Sequence, residues 1–406
     1  MTTIRLILLI ILFLFASGFT ETLEGVSDNF SFATEDGFIQ LELSPQLDLE
    51  AYYFDDSPPG LVFADGEFEL HPRFTTFIDA QIGESLYLFS QIRADQGFDK
   101  FSESSQIRFD EYFIRYSFGK SDLQLGKFAT IFGGYVNRHD TWSNPFINAP
   151  LAYENVTTIT DQVTPGSSDA FLGRRNEADK KDKWLSVVWG PSYASGVMLS
   201  SAFDKLFVAI EGKNASLSSR PQTWDAFDSG GADWFDETTV TSRVSYNPSA
   251  MWEFGLSGSI GPYLQDAAKA SLPSGESVSD FEQKTFGTDI SYAFGHLQIW
   301  SEYIYTEFEV PNVGDLSIHS YFIESRYKLS PSFFAAFRVN QQYFEDLQSP
   351  SARSLSWDRD ITGLDWAFTY RVGRNLQTKL QYSLLSEVGD SGLSDNILLF
   401  QLTAKI

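Results

Sequence analysis

The stretch FIQLELSPQLDLEAYYF, from Phe38 to Phe54, decides the fold. Ile39, Leu41, Leu43, Pro45, Leu47, Leu49, Ala51 and Tyr53 take the odd positions, while Gln40, Glu42, Ser44, Gln46, Asp48 and Glu50 take the even ones. A helix would spread both sets around its surface, because its side chains repeat every 3.6 residues; a strand sends them to opposite faces. An apolar face and a polar face sustained over about 10 residues suit a strand with lipid on one side and a water-filled lumen on the other. Pro45 has no N–H for the ladder and predicts a bulge.

The pattern spreads along the chain. Phe68, Leu70, Pro72, Phe74, Thr76, Ile78, Ala80 and Ile82 oppose Glu69, His71, Arg73, Thr75, Asp79 and Gln81, with Phe77 the one exception among the polar set. Near the C-terminus Leu364, Trp366, Phe368 and Tyr370 alternate with Asp365, Ala367, Thr369 and Arg371, and Leu376 to Leu384 alternates with Gln377, Lys379, Gln381 and Ser383. In 106–118, Tyr112, Ile114, Tyr116 and Phe118 share parity with Arg108 and Asp110, which predicts a bulge or a strand end above the membrane.

Tight turns fall at Gly83-Glu84, Gly119-Lys120, Asp204-Lys205, Asn247-Pro248, Gly295, Ser330-Pro331 and Gly373-Arg374, and longer polar segments near 55–67, 96–105, 131–194, 215–237, 262–282, 309–314, 347–358 and 389–395 separate them. Short turns on one side and long loops on the other give an all-β, antiparallel up-and-down transmembrane barrel of about 16 strands, with 14 or 18 as alternatives around 183–214. Phe118, Tyr246, Trp252, Tyr292, Phe294, Tyr327, Phe333 and Tyr370 cluster beside the tight turns, where an interfacial aromatic girdle belongs.

The N-terminus sets the compartment. Arg5, the uninterrupted apolar run Leu6–Phe15 and the small residues Ala16-Ser17-Gly18 read as a secretory signal peptide over 1–18. An N-terminal periplasmic segment over 19–37 and the barrel over 38–406 follow. No other stretch approaches the ~20 apolar residues of a membrane helix. Aromatic residues make up 16% of the chain, more than an aqueous core needs but suited to a lipid-facing wall. There is no cysteine, hence no disulfide framework, and the net charge of −25 argues against nucleic acid as a partner.

Inward parity nominates Arg73, Arg93, Arg115, Glu302, Glu324, Arg326, Arg338, Asp365, Arg371 and Lys379 as pore-lining residues. Segment 131–194 is too long for a structureless connection and is expected to fold inward and narrow the pore, with Arg138, His139, Asp140, Trp142 and Asn144 as constriction candidates. The four histidines are His71, His139, His296 and His319. Only His139, beside Asp140 and near Ser143, comes close to a hydrolase grouping, and it makes a weak one; no metal spacing, phosphate loop or dinucleotide fingerprint occurs. No enzyme activity and no cofactor are expected.

The run Gly126-Lys127-Phe128-Ala129-Thr130-Ile131-Phe132-Gly133, followed by Asn137-Arg138-His139-Asp140 and Asn144-Pro145-Phe146, resembles bacterial outer-membrane porins related to the phosphate-selective porin O/P group. Glu324-Ser325-Arg326-Tyr327-Lys328 and Phe337-Arg338 follow that group's later rhythm. The resemblance implies a channel for passive uptake, with a lumen lined by a ladder of arginine and lysine. Here the inward charges are mixed and the chain is acidic, so phosphate selectivity does not carry over. The C-terminal Ile406 stands where porins often end in an aromatic residue. The expectation is an outer-membrane diffusion porin for ions and small hydrophilic solutes, in contact with outer-membrane lipid and assembled as a homotrimer. The alternative is a plugged barrel whose loops, such as 215–237 with Trp224, Trp234 and Phe235, bind a partner.

Overall fold

The computed structural model describes residues 30–54, 67–95, 106–176, 183–219, 238–349, 354–387 and 394–405. The signal-peptide reading of 1–18 and the Trp224, Trp234 and Phe235 loop lie outside the described residues. One sheet of seventeen strands contains a closed antiparallel barrel of sixteen. These are β1 (Ile39–Phe54), β2 (Phe68–Ile82), β3 (Leu86–Asp95), β4 (Gln106–Phe118), β5 (Ser121–Phe128), β6 (Ala194–Phe203), β7 (Leu206–Lys213), β8 (Thr239–Ser249), β9 (Trp252–Pro262), β10 (Glu282–Phe294), β11 (Leu297–Val310), β12 (Gly314–Lys328), β13 (Phe333–Phe344), β14 (Ile361–Arg371), β15 (Leu376–Glu387) and β16 (Ser394–Lys405).

Each strand pairs with its sequence neighbour. The ring closes where β1 meets β16, from Gln46↔Lys405 to Phe54↔Ile397. Closure leaves the barrel no open edge. The remaining strand, Ser31–Ala33, turns back on Gln40–Glu42 and extends the sheet where β16 ends.

The interior is polar and the exterior apolar, the inverse of an aqueous protein. Gln381, Ser383 and Thr403 are fully enclosed, while Leu47, Leu125, Leu256 and Phe368 are about half exposed. The tight turns place Gly83, Gly119, Asp204 and Gly295 in the left-handed region, at φ of 59°, 64°, 50° and 57°. The girdle forms beside them: Trp252 packs on Tyr292 at 4.4 Å and stacks on Phe254, and Phe333 stacks on Phe368.

Three local expectations change. Pro45 pairs with Thr76 in unbroken register, without the bulge. Its other edge falls in the gap between Glu42, where the Ser31–Ala33 pairing ends, and Gln46, where the β16 pairing begins. A missing ladder donor costs little at such an edge. The turn expected at Asn247-Pro248 lies at Ala250-Met251, beginning two residues beyond Pro248, with a register shift between Tyr246 and Ser249 that absorbs Pro248. The outer loop expected near 309–314 is a tight turn, since β11 and β12 pair out to Val310↔Gly314. Within 183–214, where the sequence leaves the strand count open, the short strand Trp184–Ser186 pairs with Val156–Thr160 inside a loop and adds nothing to the barrel, so the expected sixteen holds. The parity break in β4 is a bulge: register slips at Gln91/Ile92, which turns Asp110 inward above the slip and Phe113 inward below it.

Towards the long loops, β11–β13 reverse the sense of their alternation. Phe308, Val310, Leu316, Ile318 and Phe344 point inward and are buried. The outer face there carries Lys284 with Glu307 and Glu309, and His319 with Glu345. These strands outrun the apolar band and behave at their ends like a soluble sheet, with charge outside and hydrocarbon inside.

Candidate functional site

That inward hydrocarbon meets the long connection between β5 and β6, residues 129–193. Phe132, Val136, Tyr153, Phe171, Leu185 and Val188 from the connection form one cluster with Ile304, Phe308, Phe322, Phe344 and Trp357. Ile147 and Leu151 join a second cluster with Tyr52, Phe54, Ile361, Leu385 and Leu399.

The connection is then fastened around the wall. Thr130 Oγ1 donates to Glu211 on β7 at 2.7 Å, and the Gly133 N–H donates to Ser257 on β9 at 3.1 Å. On β11, Glu302 accepts from the Tyr153 hydroxyl at 2.7 Å and from the Tyr135 N–H at 3.3 Å. On β13, Asn340 accepts from the Leu151 N–H at 2.9 Å, and Arg338 donates to Asn148 Oδ1 at 2.6 Å. On β15, Gln381 accepts from the Ile147 N–H at 2.6 Å, and the Lys379 ammonium donates to the Thr141 carbonyl at 2.5 Å. Thr141 Oγ1 finally donates to Asp48 on β1 at 2.9 Å. Backbone with no ladder thereby finds partners among inward side chains.

The first turn of the connection requires glycine. Gly133 has φ +75°, and a Cβ there would overlap Glu302 and the Tyr153 hydroxyl. Across from it, a Cβ on Gly287 would come within 2.9 Å of the Phe132 ring.

The pore-lining candidates divide into two sets. Glu302, Glu324, Arg338, Asp365 and Lys379 point inward, but each is 2% exposed or less beneath the connection. Glu324 takes Arg138 from the connection as well as Arg338 at 3.2 Å, and Arg338 also reaches Asp365 at 2.7 Å. Arg73, Arg93, Arg115, Arg326 and Arg371 keep partial exposure. Toward the long loops Arg73 pairs with Asp48 and Glu50, Arg93 with Asp110, and Arg108 with Asp95 and Asp110. Toward the tight turns Arg115, Arg326 and Arg371 have no carboxylate within 4.0 Å among the described residues. Each instead donates Nε–H to a glutamine: Gln124 at 3.0 Å, Gln298 at 2.9 Å and Gln377 at 3.1 Å.

Of the constriction candidates, Arg138 and Asn144 are buried; His139, Asp140 and Trp142 are half-buried. Arg138 lies over the Trp300 ring at 4.7 Å, and Arg371 over Trp142 at 5.3 Å. Asn144 donates to the Tyr135 hydroxyl at 3.2 Å. Asp140 accepts from the N–H groups of Trp142 and Ser143 as a local turn former. His139 Nδ1 lies 2.5 Å from the Val136 carbonyl, which only accepts, so Nδ1 carries the proton and Nε2 takes the Tyr193 hydroxyl at 2.7 Å. Burial lowers its pKa and favours this neutral ring. Asp140 thus orients no proton on His139. Burial pushes the Glu154 carboxyl up to about 7 against the opposing Ala149 N–H and Arg338, and burial likewise raises Asp358 to about 6. Among the described residues no group of three or more His, Cys, Asp or Glu is arranged to hold a metal ion.

Open space runs along the wall the connection leaves uncovered. A cavity of about 500 Å³ lies against β1–β4 and the connection, lined by Arg73, Arg93, His139, Asp140 and Glu154 among others. A second, of about 730 Å³, reaches the tight-turn side at Asp204, Lys205 and Asn247. Both are lined by Phe89 and Glu111. Inward parity by charge misses the aromatic lining of this path: Phe77, Tyr87, Phe89, Phe113 and Phe128. Its signal is apolar residues in both parities of Leu86–Phe89 and Tyr112–Phe118, with Phe77 as the visible exception.

A closed barrel of sixteen strands, with lipid-type residues outside and polar ones inside, has the fold of outer-membrane channels. Solved structures carry the same fold at low identity. An anion-selective porin from Comamonas acidovorans is 10% identical, with a TM-score of 0.59 over 91% of this chain and 100% of the porin. The outer membrane channel DcaP of Acinetobacter baumannii is 9% identical, with 0.58 over 92% and 99%. OmpF of Salmonella typhi, in complex with daunomycin, is 11% identical, with 0.57 over 92% and 100%. No protein-family model matches the sequence, and no curated protein matches it.

Proposed function

We propose that the chain is an outer-membrane porin for passive diffusion of ions and small hydrophilic solutes, exported by cleavage of 1–18 and assembled as a homotrimer. The segment 131–194 is its constriction, with Arg138, His139, Asp140, Trp142 and Asn144 near the narrow point. The observation that carries the reading is the pair of cavities beside the seated connection, which share Phe89 and Glu111 in their linings. Arg73, Arg93, Arg115, Arg326 and Arg371 line the lumen, while Glu302, Glu324, Arg338, Asp365 and Lys379 hold the constriction in place. Phosphate preference is not part of the proposal, because Arg73 and Arg93 are neutralised by carboxylates and the chain as a whole is strongly acidic.

One observation favours a second reading, a plugged surface-binding barrel: the apolar core that fills the lumen under Trp357 and Phe132. Planar-bilayer recording of the refolded protein separates the two. Stable single-channel steps are expected of the porin. Their absence from protein shown to be folded and inserted would move the assignment to the plugged barrel.

A further inference from the structure

We propose that the inner half of the uncovered wall binds organic anions that join a carboxylate to a flat apolar ring, which makes them preferred solutes of the porin proposed above. Phe77 and Phe89 have ring centroids 6.4 Å apart, Tyr87 and Phe89 6.4 Å, and Phe89 and Phe113 5.3 Å. Phe77, Tyr87 and Phe89 are partly open, on a wall where neighbouring strands present Gln, Thr and Asp. A hydrated ion gains nothing from such a surface, whereas a solute with an apolar face sheds water against it.

Arg115 supplies the charge. Its guanidinium carbon lies 5.5 Å from the Tyr87 ring centre and 5.3 Å from that of Phe113. Gln124 takes the Nε–H at 3.0 Å, and among the described residues no acceptor takes the two terminal amino groups. Those groups form the fork that grips a carboxylate by two parallel hydrogen bonds. The guanidinium disfavours organic cations, the nearby Asp79 carboxylate is engaged by the Tyr87 hydroxyl, and a neutral ring uses only half of the site. Tyr87, Phe89, Phe113 and Arg115 line the cavity that reaches the tight-turn side, and Phe89 also lines the neighbouring one.

The test is ion-current recording of the full-length protein in planar bilayers, with benzoate, acetate or benzyl alcohol added to potassium chloride. Benzoate is expected to interrupt the current at a concentration at least about tenfold below acetate, and benzyl alcohol only weakly. Arg115→Gln removes the advantage of benzoate over benzyl alcohol. Phe89→Ala removes its advantage over acetate, and Arg115→Lys restores part of the charge effect. Chloride conductance of each variant reports that it has folded. Equal action of benzoate and acetate on a conducting wild type, or an unchanged ratio in Arg115→Gln, overturns this site and leaves the porin reading standing. Absence of any conductance from inserted protein overturns both.

Discussion

Along β11–β15, at the level of Glu302, Arg338 and Gln381, the inner wall is covered; along the inner half of β2–β5 it is bare. On the covered arc Glu324, Arg338 and Asp365 pair with one another and are sealed from solvent. On the bare arc Arg115 is held by a glutamine and two rings, with no carboxylate within 4.0 Å among the described residues. The difference follows from where each arc meets water. Charges enclosed under a packed segment must be neutralised locally, because their desolvation is otherwise uncompensated. A guanidinium at a wet wall stays solvated and keeps a free charge for whatever passes. Lumen residues of like type therefore divide into fastenings and lining, and burial rather than parity decides which.

The largest expected effect breaks a fastening. Glu324→Ala leaves Arg138 and Arg338 short of a buried counter-charge and should lower stability by about 3–5 kcal/mol, read as a lower urea midpoint in lipid vesicles. An unchanged midpoint would mean the covered arc is hydrated. Close behind, Trp357→Ala removes the ring packed between Phe171 and Phe344 and should cost about 3–5 kcal/mol. Protease cleavage within 129–193 should rise with it; resistance equal to wild type would detach the apolar cluster from loop seating.

Acidity sharpens the comparison next. The Glu154 carboxyl titrates near 7 in the folded protein against an ordinary 4.5, so the folded state holds the extra proton. Seating of the connection is then tightest below the ordinary value and weakens as pH rises through about 7. Asp358 acts in the same direction, and the lowered pKa of His139 acts oppositely as pH falls below its ordinary value of 6.5. Current noise should therefore grow from about pH 6 to pH 8 in the wild type and less in Glu154→Gln. Equal growth in both would clear Glu154 of the role. The smallest effect belongs to the free arginines: Arg326→Gln and Arg371→Gln should leave stability within about 0.5 kcal/mol and shift the reversal potential toward cations.

The barrel was legible because alternation is a local property: residues 38–54 and 68–82 announce both faces without any partner in view. Strand ends were less so. Pro45 and Pro248 each predict a local break, yet one sits harmlessly at a gap in pairing and the other sets the turn two residues later. The seated connection was legible only as length. Its seat depends on inward apolar residues such as Phe308, Ile318 and Phe344, which in sequence look like membrane-facing ones. Only their burial against Phe132 and Trp357, set by contacts far apart in the chain, reverses their meaning. The same blindness hid Phe89 and Phe113, inward aromatics that resemble outward neighbours.

The absence of native cysteine allows the most direct test of the two arcs. Single cysteines at Phe77, Phe89 or Arg115 on the bare arc, and at Thr306, Gln381 or Ser383 on the covered one, are exposed to a charged thiol reagent during bilayer recording. The account predicts stepwise changes in conductance for the bare-arc set and none for the covered set. Equal reaction rates on both arcs would contradict it.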